Sequence, residues 1–212
     1  MMNFLNIFYQ FLALVLASFI FWHRLKEDYQ GEPIFTLSVL ILTAGYFGKR
    51  FWGIQAGVLG AAMVLILYSN KAKLNPWLVA DAAVLPILII GLAYNLAGLL
   101  FEYALWRLVV VLILVFNLFL SLKLQKSYRS ISWYKSGKVG FLACIACVAF
   151  FSPFLVLEFI LKKALYWQLS LNLVLVLSSS VLLYKRSERK LREDFKKVTS
   201  IFKKNGKISI SS

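Results

Sequence analysis

The sequence is short of acidic residues, histidine, cysteine and proline. Its 212 residues include 9 Asp and Glu, one His, two Cys and four Pro, against 24 Lys and Arg. A protein metal site needs several His, Cys, Asp or Glu ligands that converge on one ion, and a chain with a single histidine, His23, offers little basis for one. We therefore expect no metal and no other cofactor, and we interpret His23 as an interfacial residue at a helix end.

The two cysteines, Cys144 and Cys147, form a C-x-x-C pair inside the apolar stretch GFLACIACVAFF. A redox pair or a metal site needs stabilised thiolates, whereas apolar surroundings favour the neutral thiol. The position of the pair therefore predicts side chains that pack inside a helix bundle and have no redox or metal role.

Apolar sequence is what the chain has in abundance. Hydrophobic residues make up 61% of it and the mean hydropathy is +0.77, whereas soluble domains are roughly half apolar. Long apolar runs recur between charges or prolines, and a bilayer core needs about 20 apolar residues per helix. We predict an all-α, polytopic membrane protein with about seven transmembrane helices. They cover residues 4–22, 34–48, 54–68, 77–101, 104–122, 139–161 and 164–184.

The distribution of Lys and Arg predicts the orientation of these helices. With the N-terminus outside, the inner segments are 23–33, 69–76, 123–138 and the tail from residue 185, which hold 2, 2, 5 and 10 Lys and Arg residues. That is 19 of the 24, and cytoplasmic segments are the ones that carry such an excess. We predict an N-terminus outside and a C-terminus in the cytoplasm.

The net charge of +15 and the C-terminal segment indicate contact with an anionic membrane surface. Residues 185–204 combine strong basic charge with an apolar stripe at helical spacing, formed by Leu191, Phe195, Val198 and Phe202. This pattern is typical of a helix that lies on the anionic inner leaflet. A partner-binding helix and a disordered tail are the alternatives.

The apolar runs and the basic C-terminal segment predict two parts of the chain. Residues 1–184 are a seven-helix transmembrane domain, and residues 185–212 are a basic amphipathic cytoplasmic tail. Nucleic acid is not an expected partner, because no soluble domain is long enough to present a basic face to it.

Polar and ionisable residues at membrane depth are costly, so each is a candidate for function. On the predicted topology they converge on the outer leaflet, and only Asp81 falls near the inner face. The outer set is Lys49, Arg50, Gln55, Tyr94, Asn95, Glu102, Arg107 and Glu158. Their shared depth predicts a pocket for a lipid headgroup, with side chains that snorkel at helix ends as the alternative.

Small residues accompany this polar set. Gly53 immediately precedes the third predicted span and Gly57 and Gly60 lie in it, while Ala93 and Ala97 lie in the fourth. Such spacing lets two helices pack closely, and it also lets a headgroup approach the backbone. Close packing is the simpler interpretation.

The order of these segments resembles the prolipoprotein diacylglyceryl transferase family, seven-helix enzymes of the bacterial cytoplasmic membrane. The stretch LTAGYFGKRFWGIQAGVLGAAMVLILY looks like the family segment G-x-x-G-x-R-x-x-Y and its H-G-G-L-x-G helix, with Arg50 on the family arginine. The stretch NPWLVADAAVLPILIIGLAYNLAG looks like the helix that leads into the signature G-R-x-G-N-F-x-N. Glu102 falls on the first glutamate of a Q-L-Y-E-x-x-x-E segment, and Glu158 on that of an R-x-x-x-E-x-x-R pattern. The resemblance covers roughly residues 8–165.

The chain departs from the family pattern at several functional positions. The family histidine is Gln55 here, and the signature Arg-x-Gly-Asn reads YNLA from Tyr94 onward, or NLAG one residue later. The two arginines of the penultimate helix are Phe154 and Leu161. The soluble outer segment of the family is also missing.

The resemblance implies transfer of a diacylglyceryl group from phosphatidylglycerol to the cysteine thiol of a lipoprotein precursor. Phosphatidylglycerol and lipoprotein precursors are then the partners, and the bacterial cytoplasmic membrane is the location. This transfer needs a base for the thiol and cations for the phosphate. The candidates for binding the phosphate or headgroup are Arg50, Lys49, Tyr94, Asn95 and Arg107.

The candidates for catalysis are Gln55, Glu102 and Glu158. An amide does not titrate, so Gln55 cannot act as a base, and a carboxylate is a weak base for a thiol unless its environment favours protonation. Two alternatives to the enzyme stay open. One is a non-enzymatic membrane scaffold that binds phospholipid or lipoproteins, and the other is an unrelated small transporter.

Overall fold

Seven α-helices and no strand make up the computed structural model over the residues that it describes, which confirms the all-α prediction. Those residues are 2–52, 54–101, 107–127, 131, 134, 136–161 and 166–188. The helices are α1 Met2–Leu25, α2 Gly31–Trp52, α3 Ile54–Lys71, α4 Pro76–Phe101, α5 Arg107–Ser127, α6 Phe141–Leu161 and α7 Tyr166–Arg186. Most of the predicted tail, from residue 189 onward, lies outside the described residues.

Five of the described helices are long and apolar enough to cross a bilayer. Their apolar stretches are Ile7–Leu25, Gly31–Gly48, Pro76–Leu100, Arg107–Ser127 and Trp167–Arg186. Helix α6 adds a shorter apolar stretch, Phe141–Val156. These helices indicate a multi-pass membrane protein. The number of seven spans and the orientation stay predictions.

The surface of α5 shows the reversed polarity of a lipid-facing helix. Phe116 and Phe119 are 60% and 65% exposed, whereas Asn117 and Ser121 are almost completely buried. A helix on the surface of a soluble protein turns its polar side chains outward instead. The exposed apolar face of α5 therefore suits contact with lipid.

Local sequence explains where α4 begins. Asn75 Oδ1 accepts a hydrogen bond from the backbone N–H of Trp77 at 3.1 Å. Pro76 occupies the first helical position, where its missing N–H costs nothing. The Tyr29 hydroxyl accepts the N–H of Asn75 at 2.9 Å. The segment after α1 is thereby joined to the start of α4.

Helix α4 is the central element of the bundle, because it packs against α1, α3, α5 and α6. Its residues contribute to two apolar clusters. Val84 and Leu88 belong to the cluster that includes Leu114 of α5 and Phe141 of α6. The second cluster, which includes Val79 of α4, extends over α1 and α2.

Two further pairs of helices, α2 with α3 and α6 with α7, run antiparallel beside α4. The backbones of α2 and α3 approach closely at small residues. A Cβ atom on Gly48 would lie 2.6 Å from the carbonyl oxygen of Ala56 and 2.8 Å from the Cα of Gly57. A Cβ atom on Gly60 would lie 3.3 Å from the carbonyl oxygen of Ala44. Close helix packing thus accounts for Gly57 and Gly60, whereas Gly53 lies outside the described residues.

The Gly48→Ala variant is expected to lose about 1–3 kcal/mol of stability, because the new methyl group would force the backbone of α2 away from α3. The matched control is Gly45→Ala in the same helix. The nearest atom to a Cβ there is the carbonyl oxygen of Gly57 at 3.8 Å, so this change should be neutral or slightly stabilising. The midpoint of thermal unfolding in detergent measures both. Equal midpoints for the two variants would contradict the close approach.

Successive helices run in opposite directions, so helix termini gather at two ends of the bundle. We call one the basic end. There the C-terminal ends of α1 and α7 meet the N-terminal ends of α4 and α6, as the contacts of Arg24 with Ala82 and of Ser136 with Arg186 show. We call the other the Arg107 end, where the C-terminal part of α4 meets the start of α5. The predicted topology places the basic end in the cytoplasm.

Candidate functional site

At the Arg107 end, the side chain of Arg107 makes two contacts with Tyr94 of α4. Arg107 Nη1 donates to the backbone carbonyl oxygen of Tyr94 at 3.5 Å. The guanidinium carbon lies 5.1 Å from the centroid of the Tyr94 ring, within the range of a cation–π interaction. Tyr94 and Arg107 are two of the predicted headgroup residues, and the structure brings them together.

Gly98 makes this position of Arg107 possible. It lies one turn after Tyr94 in α4, and a Cβ atom on it would overlap the Arg107 guanidinium. The side chain of Arg107 therefore rests directly on the backbone of α4, where no larger residue than glycine leaves room. In the sequence Gly98 looks like one of several small packing residues, and nothing in the pattern indicates that an arginine side chain contacts it.

The other predicted headgroup and catalytic residues are placed differently. Asn95 is buried, and its amide Nδ2 donates to the carbonyl oxygen of Gly91 in its own helix at 2.8 Å. Gln55 is buried in the first turn of α3, and Arg50 is exposed near the C-terminal end of α2.

Three predicted residues lie partly or wholly outside the described part of the chain. Lys49 belongs to α2 and Glu158 belongs to α6, but the structure describes only the backbone of these two residues. Glu102 lies between α4 and α5, outside the described residues. The candidate bases Glu102 and Glu158 therefore stay predictions.

Asp81, the one acidic residue predicted near the inner face, is the most strongly connected polar residue of the basic end. It is 7% exposed. Its Oδ2 accepts the backbone N–H of Gly140 at 2.6 Å, and its Oδ1 accepts that of Ala143 at 2.9 Å. The first N–H groups of a helix have no partner within that helix. Asp81 therefore caps the N-terminal end of α6 from a position on α4.

Arg24 of α1 forms hydrogen bonds with α4 next to this cap. Its Nη1 donates to the carbonyl oxygens of Asp81 and Ala82, at 3.1 Å and 3.3 Å. Its positive charge also attracts the Asp81 carboxylate. The sequence shows Arg24 only as part of the basic segment after the first span. The structure shows it as a link between α1 and α4.

The C-x-x-C pair lies in α6, and both thiols are free. Cys144 is buried in the cluster that includes Leu114 and Phe141. Cys147 Sγ lies 4.0 Å from the carbonyl oxygen of Leu175 in α7. These contacts agree with a packing role at the interfaces of α6.

Comparison with protein-family models, with curated protein sequences and with solved structures gives no match.

Proposed function

We propose that this chain is a divergent relative of the prolipoprotein diacylglyceryl transferases that binds the headgroup of phosphatidylglycerol at the Arg107 end. Its location would be the bacterial cytoplasmic membrane. The observation that carries the proposal is the guanidinium of Arg107, which lies against Tyr94 and Gly98.

The depth of Arg107 suits a lipid phosphate. The apolar stretch of α4 ends at Leu100 and that of α5 begins at Arg107. The guanidinium is therefore located where two candidate spans leave the hydrocarbon, which is where the phosphates of a bilayer lie. On the predicted topology this is the outer leaflet.

The chemistry of Arg107 also suits a phosphate. A guanidinium carries five N–H donors in a planar fork that matches phosphate oxygens. Contact with the Tyr94 carbonyl and binding of a phosphate are thus compatible. Arg50, exposed near the end of α2, adds a second positive charge to the same end of the bundle. Both charges attract anionic lipid.

Transferase activity is the second candidate, and the alignment of Arg50, Glu102 and Glu158 with family positions favours it. In the reaction, a cysteine thiolate attacks the glyceryl carbon, the carbon–oxygen bond breaks, and glycerol phosphate leaves. The thiol proton must go to a base. The chain's one histidine, His23, lies in the last turn of α1, at the basic end. The base would therefore be the carboxylate of Glu102 or Glu158.

Binding is tested by the amount of phosphatidylglycerol that stays bound to the full chain in nanodiscs of mixed phosphatidylcholine and phosphatidylglycerol. Arg107→Ala is expected to weaken binding by about tenfold or more, because hydrogen bonds to charged groups contribute about 1.5–3 kcal/mol each. Arg107→Lys should retain part of it, since it keeps the charge but loses the planar fork.

The matched control is Lys123→Ala, which removes an exposed cation from the opposite end of α5. This variant should bind phosphatidylglycerol as the unchanged chain does. If Arg107→Ala and Lys123→Ala bind equally well, a headgroup site at Arg107 is excluded.

Transfer is tested separately, in a bacterial host depleted of its own diacylglyceryl transferase. Restored lipoprotein modification on expression of this chain would establish the enzyme, and Arg107→Ala should then abolish the effect. Unmodified precursor that persists, together with Arg107-dependent lipid binding, would instead establish a non-enzymatic lipid-binding scaffold.

A further inference from the structure

A second cationic surface lies at the basic end, opposite Arg107. It surrounds a cavity of about 300 Å³ that we call the basic pocket, lined by Trp77, Lys138, Leu182, Lys185 and Arg186. These residues come from α4, from the segment before α6 and from α7. We propose that the basic pocket binds a phosphate group, carried either by an anionic lipid or by a soluble phosphate ester.

Arg186 is the centre of the proposed site. Its guanidinium carbon lies 4.1 Å from the centroid of the Trp77 ring, which fixes the plane of the guanidinium. Ser136 Oγ donates to the backbone carbonyl oxygen of Arg186 at 2.6 Å. The buried Nε atom of Arg186 has no hydrogen-bond partner among the described residues. Arg186 lines the pocket, and a guanidinium carries its N–H donors in a planar fork that matches phosphate oxygens.

The two lysines add positive charge around Arg186. Lys185 is exposed in the last turn of α7. Lys138 forms an ion pair with Glu188, and both side chains are more than half exposed. Exposed pairs of this kind contribute little, so a phosphate can compete with Glu188 for the ammonium group. Three cations, Lys138, Lys185 and Arg186, therefore line the pocket.

Buried contacts hold the walls of the pocket in place. Tyr134 is fully buried and packs against Phe141 with ring centroids 4.6 Å apart. Its hydroxyl donates to the carbonyl oxygen of Lys138 at 2.9 Å. Burial raises the pKa of the Tyr134 phenol above its ordinary value, so the hydroxyl keeps the proton that it donates. The backbone of Lys138 is thereby anchored to the core.

Gly140 brings the aromatic wall close to the backbone. Its φ is +97°, and a Cβ atom on it would lie 2.6 Å from Cε3 of Trp77. Only glycine adopts this backbone conformation at low cost while leaving space for the indole ring. The same residue donates its N–H to Asp81. The pocket therefore shares its framework with the buried cap of α6.

The position of the pocket favours a lipid without excluding a soluble ligand. The apolar stretch of α4 begins at Pro76, next to Trp77, and that of α7 ends at Arg186. The pocket thus lies at the level where spans leave the hydrocarbon. Basic pockets between helices at this level bind anionic headgroups in other membrane proteins. Leu182 supplies an apolar wall one turn deeper for the glycerol and the start of an acyl chain.

The experiment measures binding of dioctanoyl phosphatidylglycerol, dioctanoyl phosphatidylcholine and inorganic phosphate to the detergent-solubilised full chain. It is carried out in the Arg107→Ala background, so that the two ends are assessed independently. The binding tests at Arg107 are carried out in the Arg186→Gln background for the same reason, so that lipid held at one end does not mask a loss at the other. Saturable binding of phosphatidylglycerol, of inorganic phosphate or of both is expected. Absence of any binding would overturn the proposal.

The three probes distinguish the source of the phosphate. Binding of phosphatidylglycerol that inorganic phosphate at millimolar concentration does not displace identifies a lipid. Binding of inorganic phosphate that competes with phosphatidylglycerol identifies a soluble phosphate ester. Equal binding of phosphatidylcholine and phosphatidylglycerol would show an unselective lipid contact and would contradict a site selective for anionic ligands.

Substitutions in the lining of the basic pocket test whether the probes bind there. Arg186→Gln is expected to weaken it about tenfold. The double variant Lys138→Gln/Lys185→Gln, which changes only exposed side chains and should fold normally, is expected to weaken it several-fold. The matched control is Lys71→Gln, which removes one exposed cation of the same end outside the pocket and should change binding less than about twofold. Equal losses in Lys71→Gln and in the pocket variants would show diffuse surface charge and overturn the proposal.

Discussion

The Asp81→Ala variant is expected to lose about 2–6 kcal/mol of stability. Two backbone N–H groups at the N-terminal end of α6, those of Gly140 just before the helix and of Ala143 in its first turn, then lose the carboxylate oxygens that accept their hydrogen bonds. Each unsatisfied buried donor costs about 1–3 kcal/mol. Water replaces lost partners poorly at a site that is 7% exposed near the hydrocarbon. Arg24 also loses the negative charge that it faces.

Asp81→Asn separates the geometry of the cap from its charge. The asparagine carbonyl oxygen can still accept one N–H, but its NH₂ group faces the other donor. This variant should therefore be intermediate. Asp28→Asn, which neutralises an exposed carboxylate after α1, is the control and should change stability by less than about 0.5 kcal/mol.

Thermal unfolding in detergent and protection from trypsin measure these differences. If Asp81→Ala unfolds at the same temperature as Asp28→Asn, the buried cap is not a support of the fold. Loss of protection should begin at the N-terminal end of α6, because that is where the hydrogen bonds to Asp81 are made.

The helices themselves could be predicted from apolar runs, and most of their bounds follow closely. The predicted span 77–101 corresponds to α4, Pro76–Phe101, and 139–161 corresponds to α6, Phe141–Leu161. Helix α2 extends beyond its apolar run, because hydropathy predicts a span over 34–48 whereas the helix covers Gly31–Trp52. Hydropathy marks the part of a helix that suits lipid, whereas backbone hydrogen bonds continue through polar residues such as Arg50.

The partners of the polar residues could not be predicted in the same way. Asp81 and Gly140 are 59 positions apart, and only the packing of α6 on α4 brings them together. An acidic residue alone in an apolar helix does signal that donors must lie nearby, but it does not say which. Arg107 and Tyr94 were expected at one depth. Their direct contact depends on Gly98, which the sequence does not distinguish from other small residues.

The Gly98→Ala variant is expected to weaken binding of phosphatidylglycerol about as much as Arg107→Ala does, by tenfold or more. The added methyl group would overlap the Arg107 guanidinium, so the side chain must leave its place against Tyr94. The fold should tolerate the change, because alanine is a better helix former than glycine by about 1 kcal/mol. Gly91→Ala is the matched control, two turns earlier in α4. A Cβ there would meet Leu114 Cδ2 at 3.4 Å, an ordinary contact.

A double-mutant cycle distinguishes displacement of Arg107 from a general disturbance of α4. If Gly98→Ala acts by moving Arg107, then adding it to Arg107→Ala should cost no further affinity, so the two effects should be strongly non-additive. Gly91→Ala should bind phosphatidylglycerol normally in either background. Additive losses would mean that Gly98 serves the packing of α4 and α5 independently of the arginine. Binding of phosphatidylglycerol would then depend on the packing of the whole C-terminal end of α4. The contact between the Arg107 guanidinium and Gly98 would not account for it.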